Sequence, residues 1–225
     1  MEIVRCKSKE EAKKSAGKKL NQLFLSHQHL PVLFLSSGGS ALQLLDEIDT
    51  TCLPKNLTVG VLDERMDVEP KNSNRAQFKI SPFFMKLQER NVPFHDLLSD
   101  EYSFFLSTEK YPDGKVIITQ GVGADGHTAG IVPFPEDPKM FRQLFENEDR
   151  SAVVYEAEEK NEYPHRATAT ISFLRQEVDH SVVYMVGEEK REALERILAD
   201  EGTLYETPAR IVREMQNVTI FTDIL

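Results

Sequence analysis

The sequence predicts an α/β fold, a mainly parallel sheet with helices on both faces, built as one domain over residues 1–225. Three observations predict it. Apolar runs of strand length recur at 31–36 (PVLFLS), 57–62 (LTVGVL), 115–118 (KVII) and 181–186 (SVVYMV), and continuous rather than alternating apolarity marks strands buried on both faces. Segments of helical period alternate with these runs, as successive strand–helix–strand units require. The runs end on small or charged residues, and parallel strands bring such ends to one edge of the sheet, where open α/β sheets bind ligands. A chain of 225 residues can close a full core around one such sheet.

Residues 2–6 read as a short edge strand. Ser8 and Glu11 have capping-box spacing, and Ala12, Ala16, Leu20, Leu23 and Phe24 fall on one face of the helix that follows. The run 31–36 passes into Ser37-Gly38-Gly39-Ser40 and then into a helical pattern carried by Leu42, Leu44, Leu45 and Ile48. Strand, glycine turn and helix in that order present free backbone N–H groups at a helix N-terminus, a natural anion site, and Ser37 and Ser40 add hydroxyls. A tight turn with a serine cap explains the same residues without a ligand. The run 57–62 ends on a charged loop, Asp63-Glu64-Arg65, and turn and cap signals follow at Pro70, Asn72, Ser73 and Asn74. Helical segments are expected at 76–80, at 82–87 and, amphipathic, at 100–110.

The run 115–118 leads into the glycine-rich segment 119–130, TQGVGADGHTAG. Gly121, Gly123 and Gly126 permit positive φ and close approach of the backbone to a ligand. Asp125 and His127 stand two residues apart in that segment. A histidine on a loop at a strand end is suited to proton transfer near neutral pH, and the carboxylate can orient its ring. A flexible turn without chemistry is the competing reading. Pro133, Pro135 and Pro138 stiffen a connection to a short helix at 139–145, and strands are expected at 151–156 and 167–173. The run 181–186 is followed by Gly187-Glu188-Glu189-Lys190, a helix with Ala193, Leu194, Ile197 and Leu198, a short helix at 208–215 and a last strand at 217–221.

The net charge of -10 argues against nucleic acid or an anionic membrane as a partner, while a small anion remains compatible if a few cations converge. Cys6 and Cys52 have no CxxC spacing, so neither a disulfide framework nor a structural zinc site is indicated, and the compartment is expected to be reducing. No apolar run reaches bilayer length and no secretory leader pattern opens the chain, so a soluble, cytoplasmic protein is expected, monomeric or a small homo-oligomer.

Segments spread along the chain, in order and in spacing, carry a resemblance: SSGGS (36–40), LDER (62–65), SN (73–74), GADGHTAG (123–130), PHRATATIS (164–172), GEEK (187–190) and TPAR (207–210). Together they resemble the 6-phosphogluconolactonase branch of the family that also includes glucosamine-6-phosphate deaminase. The resemblance implies a three-layer, modified Rossmann-like fold of the deaminase/ribose-5-phosphate isomerase/CoA transferase-like type, a phosphorylated sugar lactone as substrate, no organic cofactor and no metal. Arg65 stands where deaminases usually carry Tyr, and Val132 stands where they carry a glutamate that assists ring opening; Thr128-Ala129 also fits the lactonases. Gly130, Ile131 and Val132 depart from the Ser, Leu and Phe usual in lactonases, and 74–115 match poorly, which bears on selectivity more than on fold.

Carried onto this chain, the resemblance implies hydrolysis of 6-phospho-D-glucono-1,5-lactone in the oxidative pentose phosphate pathway. His127 would move the protons, Asp125 would orient it or interact with a substrate hydroxyl, and loop N–H groups or Arg65 would meet the oxyanion. Gly38, Gly39 and Ser40 with Arg166 and Lys190 would bind the phosphate, and Asp63 joins the substrate-binding set. The alternatives are a sugar-phosphate deaminase or isomerase, in which Asp63 acts on the substrate carbon, and a non-catalytic sugar-phosphate sensor. His165 is expected to be structural or exposed, and His27, His29, His95 and His180 have no partner motif.

Overall fold

The structure is a computed structural model and describes residues 1–95, 113–157 and 162–224. The helix expected at 100–110 lies outside the described residues. β1 (Glu2–Arg5) leads to α1 (Lys9–Ser26), whose N-cap Ser8 accepts the Glu11 N–H at 3.2 Å. Glu11 reaches back to the Lys7 N–H at 2.7 Å, one residue further than a standard capping box, and the apolar face from Ala12 to Phe24 is buried. β2 (Pro31–Ser36) is followed by the 3-10 helix Gly39–Glu47, which realises the helical pattern of Leu42 to Ile48 with a three-residue period that still buries Ala41, Leu44 and Leu45. β3 (Asn56–Val61), β4 (Asp63–Arg65), α2 (Asn74–Lys79), α3 (Pro82–Glu89) and β5 (Phe94–His95) come next.

β6 (Lys115–Gly121) carries the glycine-rich segment at its end. α4 (Pro138–Phe145), β7 (Ala152–Glu156), β8 (His165–Ala169), α5 (Ile171–Gln176), β9 (His180–Tyr184), α6 (Arg191–Leu198) and β10 (Val218–Thr222) complete the order. Among the described residues the main sheet runs β1-β10-β9-β6-β2-β3-β5, with parallel pairing throughout. β2 and β3 bury every residue after their first, and β10 buries all of its residues, so both faces of the sheet are covered. Phe34 of β2 meets Phe24 of α1 edge-on at 5.3 Å and Phe83 of α3 at 6.4 Å, tying both helices to an interior strand of the sheet. The expected mainly parallel α/β architecture is the one observed.

Three expectations need correction. Asp63-Glu64-Arg65 is not a loop at the end of β3: it forms β4, the edge of a second, antiparallel sheet ordered β4-β8-β7. The strand expected at 167–173 stops at Ala169, because the Thr170 hydroxyl accepts the Phe173 N–H at 3.1 Å and caps a new helix there. The helix expected at 208–215 is a 3-10 helix, Pro208–Arg213. Among the described residues, no helix is long and apolar enough to cross a membrane.

Candidate active site

β9, β6, β2 and β3 are neighbours in the middle of the sheet, and their carboxyl ends surround a cleft of about 360 Å³. Gly38, Gly39, Ser40, Asp63, Arg65, His127, Arg166 and Lys190 all line it. Asp125 stands behind His127 instead of on the wall: its Oδ1 accepts from His127 Nδ1 at 2.6 Å and from the His127 backbone N–H at 3.1 Å. Burial works to raise the Asp125 carboxyl, but the hydrogen bond and charge of His127, with the backbone N–H groups of His127 and Asp125, outweigh it and hold the carboxyl below its usual range. The carboxylate therefore fixes the proton on Nδ1 and leaves Nε2 free to accept one.

The loop that carries this pair is clamped from several sides. The Gly123 N–H donates to His127 O at 2.9 Å and the Gly126 N–H to Gly123 O at 3.0 Å, closing a tight turn. Thr128 Oγ1 donates to Gly121 O at 2.8 Å, and the second sheet reaches over: Thr168 Oγ1 donates to Ala129 O and Tyr155 Oη to Gly130 O at 2.5 Å. Burial pushes the Tyr155 phenol well above its ordinary value, so it remains a donor at physiological pH. From the C-terminal side, Ala209 N–H donates to Gly126 O at 2.9 Å and Arg196 Nη2 to Ala124 O at 3.1 Å. Ala129 and Gly130 both take positive φ, 50° and 72°, and line the cleft, with N–H groups that have no acceptor among the described residues.

Asp63 is buried, held by Ser37 Oγ at 3.1 Å and Asn74 Nδ2 at 2.9 Å. Glu64 faces away from the cleft and is structural. Its oxygens accept the N–H groups of Arg65, Asn74 and Arg75 at 2.7 to 2.8 Å and the Ser73 hydroxyl at 3.0 Å, while Ser73 itself caps the Ala76 N–H. A carboxylate at the first turn of α2 is where the exposed N–H groups and the helix dipole favour it. The β4–β8 register sets Arg65 opposite Arg166, so two guanidinium groups share one wall. Arg166 is buried and donates from Nε to Tyr163 O at 3.0 Å. Burial, with a smaller contribution from Lys9, holds the Lys190 ammonium below its ordinary value against the pull of Glu189 and Asp223.

Sequence reading missed Glu162 and Tyr163 on the cleft wall and gave Asn74 only a capping role. His165 is exposed and joins Asp67 at 2.9 Å and Glu156 at 3.3 Å, a clip between segments of the second sheet. Among the described residues, no group of three or more His, Cys, Asp or Glu is gathered where it could hold a metal ion.

The fold and cleft define a parallel α/β protein with a polar, cation-bearing pocket at the carboxyl edge of its sheet, the place where open α/β sheets bind ligands. The chain belongs to the glucosamine-6-phosphate isomerase/6-phosphogluconolactonase family, whose model matches residues 8–221. It is similar in structure to a 6-phosphogluconolactonase from Leishmania guyanensis, at 19% identity and a TM-score of 0.70 over 98% of this chain and 95% of that one. A 6-phosphogluconolactonase from Shewanella baltica OS155 matches at 16% identity and a TM-score of 0.71, covering 99% and 96%. A monomeric glucosamine-6-phosphate deaminase matches at 17% identity and a TM-score of 0.68, covering 99% and 97%. These likenesses establish the fold. No curated protein matches the chain in sequence.

Proposed function

We propose that this protein hydrolyses 6-phospho-D-glucono-1,5-lactone to 6-phosphogluconate, the lactone step of the oxidative pentose phosphate pathway. The observation that carries the reading is the Asp125–His127 pair, with Nδ1 held at 2.6 Å and the ring on the wall of the cleft. His127 Nε2 takes a proton from water as the oxygen attacks the lactone carbonyl. The carbonyl oxygen, now negative, is met by the N–H groups of Ala129 and Gly130 or by Arg65. The bond from the carbonyl carbon to the ring oxygen then breaks, the imidazolium returns the proton to that oxygen, and the acid formed ionises. The phosphate is assigned to the turn Gly38-Gly39-Ser40 with Lys190 and Arg166; a side-chain carbon at Gly39 would meet nothing within 4 Å, so that backbone is open to a ligand. A cytoplasmic enzyme, monomeric or a small homo-oligomer, fits this reading.

Val132 supports a lactonase over a deaminase. It is wholly buried and off the cleft wall, so the position that carries a glutamate in deaminases supplies no acid here. Asp63 favours the second reading, a sugar-phosphate deaminase or isomerase, because its buried carboxylate lies on the cleft wall. The test is hydrolysis of freshly generated lactone, corrected for spontaneous opening, by the wild type and His127→Gln. A loss of about 10²- to 10⁴-fold is expected for the variant. Near wild-type hydrolysis by His127→Gln would remove the histidine from this role, and ammonia release from glucosamine 6-phosphate would favour the second reading.

A further inference from the structure

We infer that Tyr163 is a positioning residue for the arginine wall of the cleft, its ring face fixing Arg65 without neutralising it and its backbone carbonyl fixing Arg166. The inference rests on the proposed function, in which these arginines meet an anionic substrate. Arg65 Cζ lies 4.7 Å from the centre of the Tyr163 ring, within cation–π range. The other restraints on Arg65 are slight. Its Nη1 makes a long bond of 3.3 Å to Asn72 O, and its Nε is buried with no partner.

The neighbouring carboxylates are already engaged. Asp63 is held by Ser37 and Asn74, Glu64 by Ser73 and the backbone around α2, and Glu162, also on the cleft wall, by the Tyr163 hydroxyl. Among the described residues, Arg65 forms no ion pair. A carboxylate would also fix a guanidinium, but it would cancel the charge an incoming anion needs. An aromatic face restrains the planar group and leaves its charge and its in-plane donors available. Arg166, directly opposite in register, receives its own restraint at Nε from the Tyr163 carbonyl at 3.0 Å. One residue thus restrains both cations, one through its side chain and the other through its backbone.

The two contacts separate in an experiment, because substitution changes the ring and leaves the carbonyl. Tyr163→Phe keeps the stack and is expected to bind 6-phosphogluconate and to turn over lactone within about twofold of wild type. Tyr163→Leu is expected to raise KM for the lactone, and Kd for 6-phosphogluconate by calorimetry, by about 5- to 20-fold, with a smaller change in kcat. In an Arg65→Leu background the Tyr163→Leu change should add almost nothing, since the group it positions is gone. Equal affinity of wild type and Tyr163→Leu, an equal loss in Tyr163→Phe, or full additivity with Arg65→Leu would overturn the inference alone. A wild type that neither binds 6-phosphogluconate nor opens the lactone would overturn the proposed function together with it. Thermal melts of Tyr163→Leu matching the wild type exclude a folding defect as the source of the change.

Discussion

Gly123 shows how one residue can be required for a reason other than backbone freedom. Its φ is ordinary, unlike those of Gly126 and Gly130, yet a Cβ built on it would lie 2.2 Å from His127 Nδ1 and 2.5 Å from Asp125 Oδ1. The pair is folded directly onto the Gly123 backbone. Gly123→Ala must therefore push the ring or the carboxylate aside, and misplacement on that scale costs about 10²-fold or more in kcat/KM. Gly123 and His127 are half-buried and Asp125 is exposed, so displacing the pair should change thermal stability little; wild-type turnover in the alanine variant would sink this account. The sequence drew attention to Asp125 and His127 because they sit among glycines, but it assigned the same role to Gly121, Gly123 and Gly126. Only Gly126 takes positive φ, Gly123 makes the close approach, and Gly121 has ordinary contacts at 3.8 Å. Spacing reveals that a loop is tight, whereas the atom that needs the room is set by contacts the spacing does not encode.

At the scale of elements, the second sheet decides what the cleft contains. β4 sets Arg65 against Arg166 across about a hundred residues of chain, and β7 and β8 supply Tyr155 and Thr168 to hold the loop carbonyls. None of this was legible beforehand, since Asp-Glu-Arg has poor strand propensity and forms a strand only because β8 is there to pair with it. Tyr163 went unnoticed for the same reason: its ring meets Arg65, on a strand distant in sequence. The parallel strands were legible, because continuous apolar runs register burial on both faces whichever strand lies next to them. Glu64 belongs to this scale as well, as the carboxylate that joins β4 to the first turn of α2. Glu64→Ala would leave three buried or half-buried N–H groups and a hydroxyl without their acceptor, a loss of about 2–4 kcal/mol. For a chain of this size that lowers Tm by about 5–15 °C. Glu64→Gln, which keeps one acceptor oxygen, should fall between. A Tm for Glu64→Ala within about 2 °C of wild type would show that water replaces the carboxylate at no cost.

The whole molecule has 37 acidic and 27 basic side chains, so its overall field repels the anion its cleft is proposed to bind. Binding must then come from donors gathered locally, and the chain gathers them from places far apart: Gly38 to Ser40 after β2, Arg65 on β4, Arg166 on β8 and Lys190 after β9. That gathering is a property of the sheet order, in which β9, β6, β2 and β3 lie side by side although β9 follows β3 by more than a hundred residues. Because unfolding scatters these donors, an anion that engages them stabilises the native state against global unfolding. At a ligand concentration 100 times Kd the gain is about 2.7 kcal/mol. For a chain of this size it raises Tm by about 5–10 °C. Gluconate, which lacks the phosphate, should shift Tm much less than 6-phosphogluconate at equal concentration, and Lys190→Ala should shrink the difference between the two. Equal shifts for both ligands would mean that the donors around Gly39, Ser40 and Lys190 do not read the phosphate.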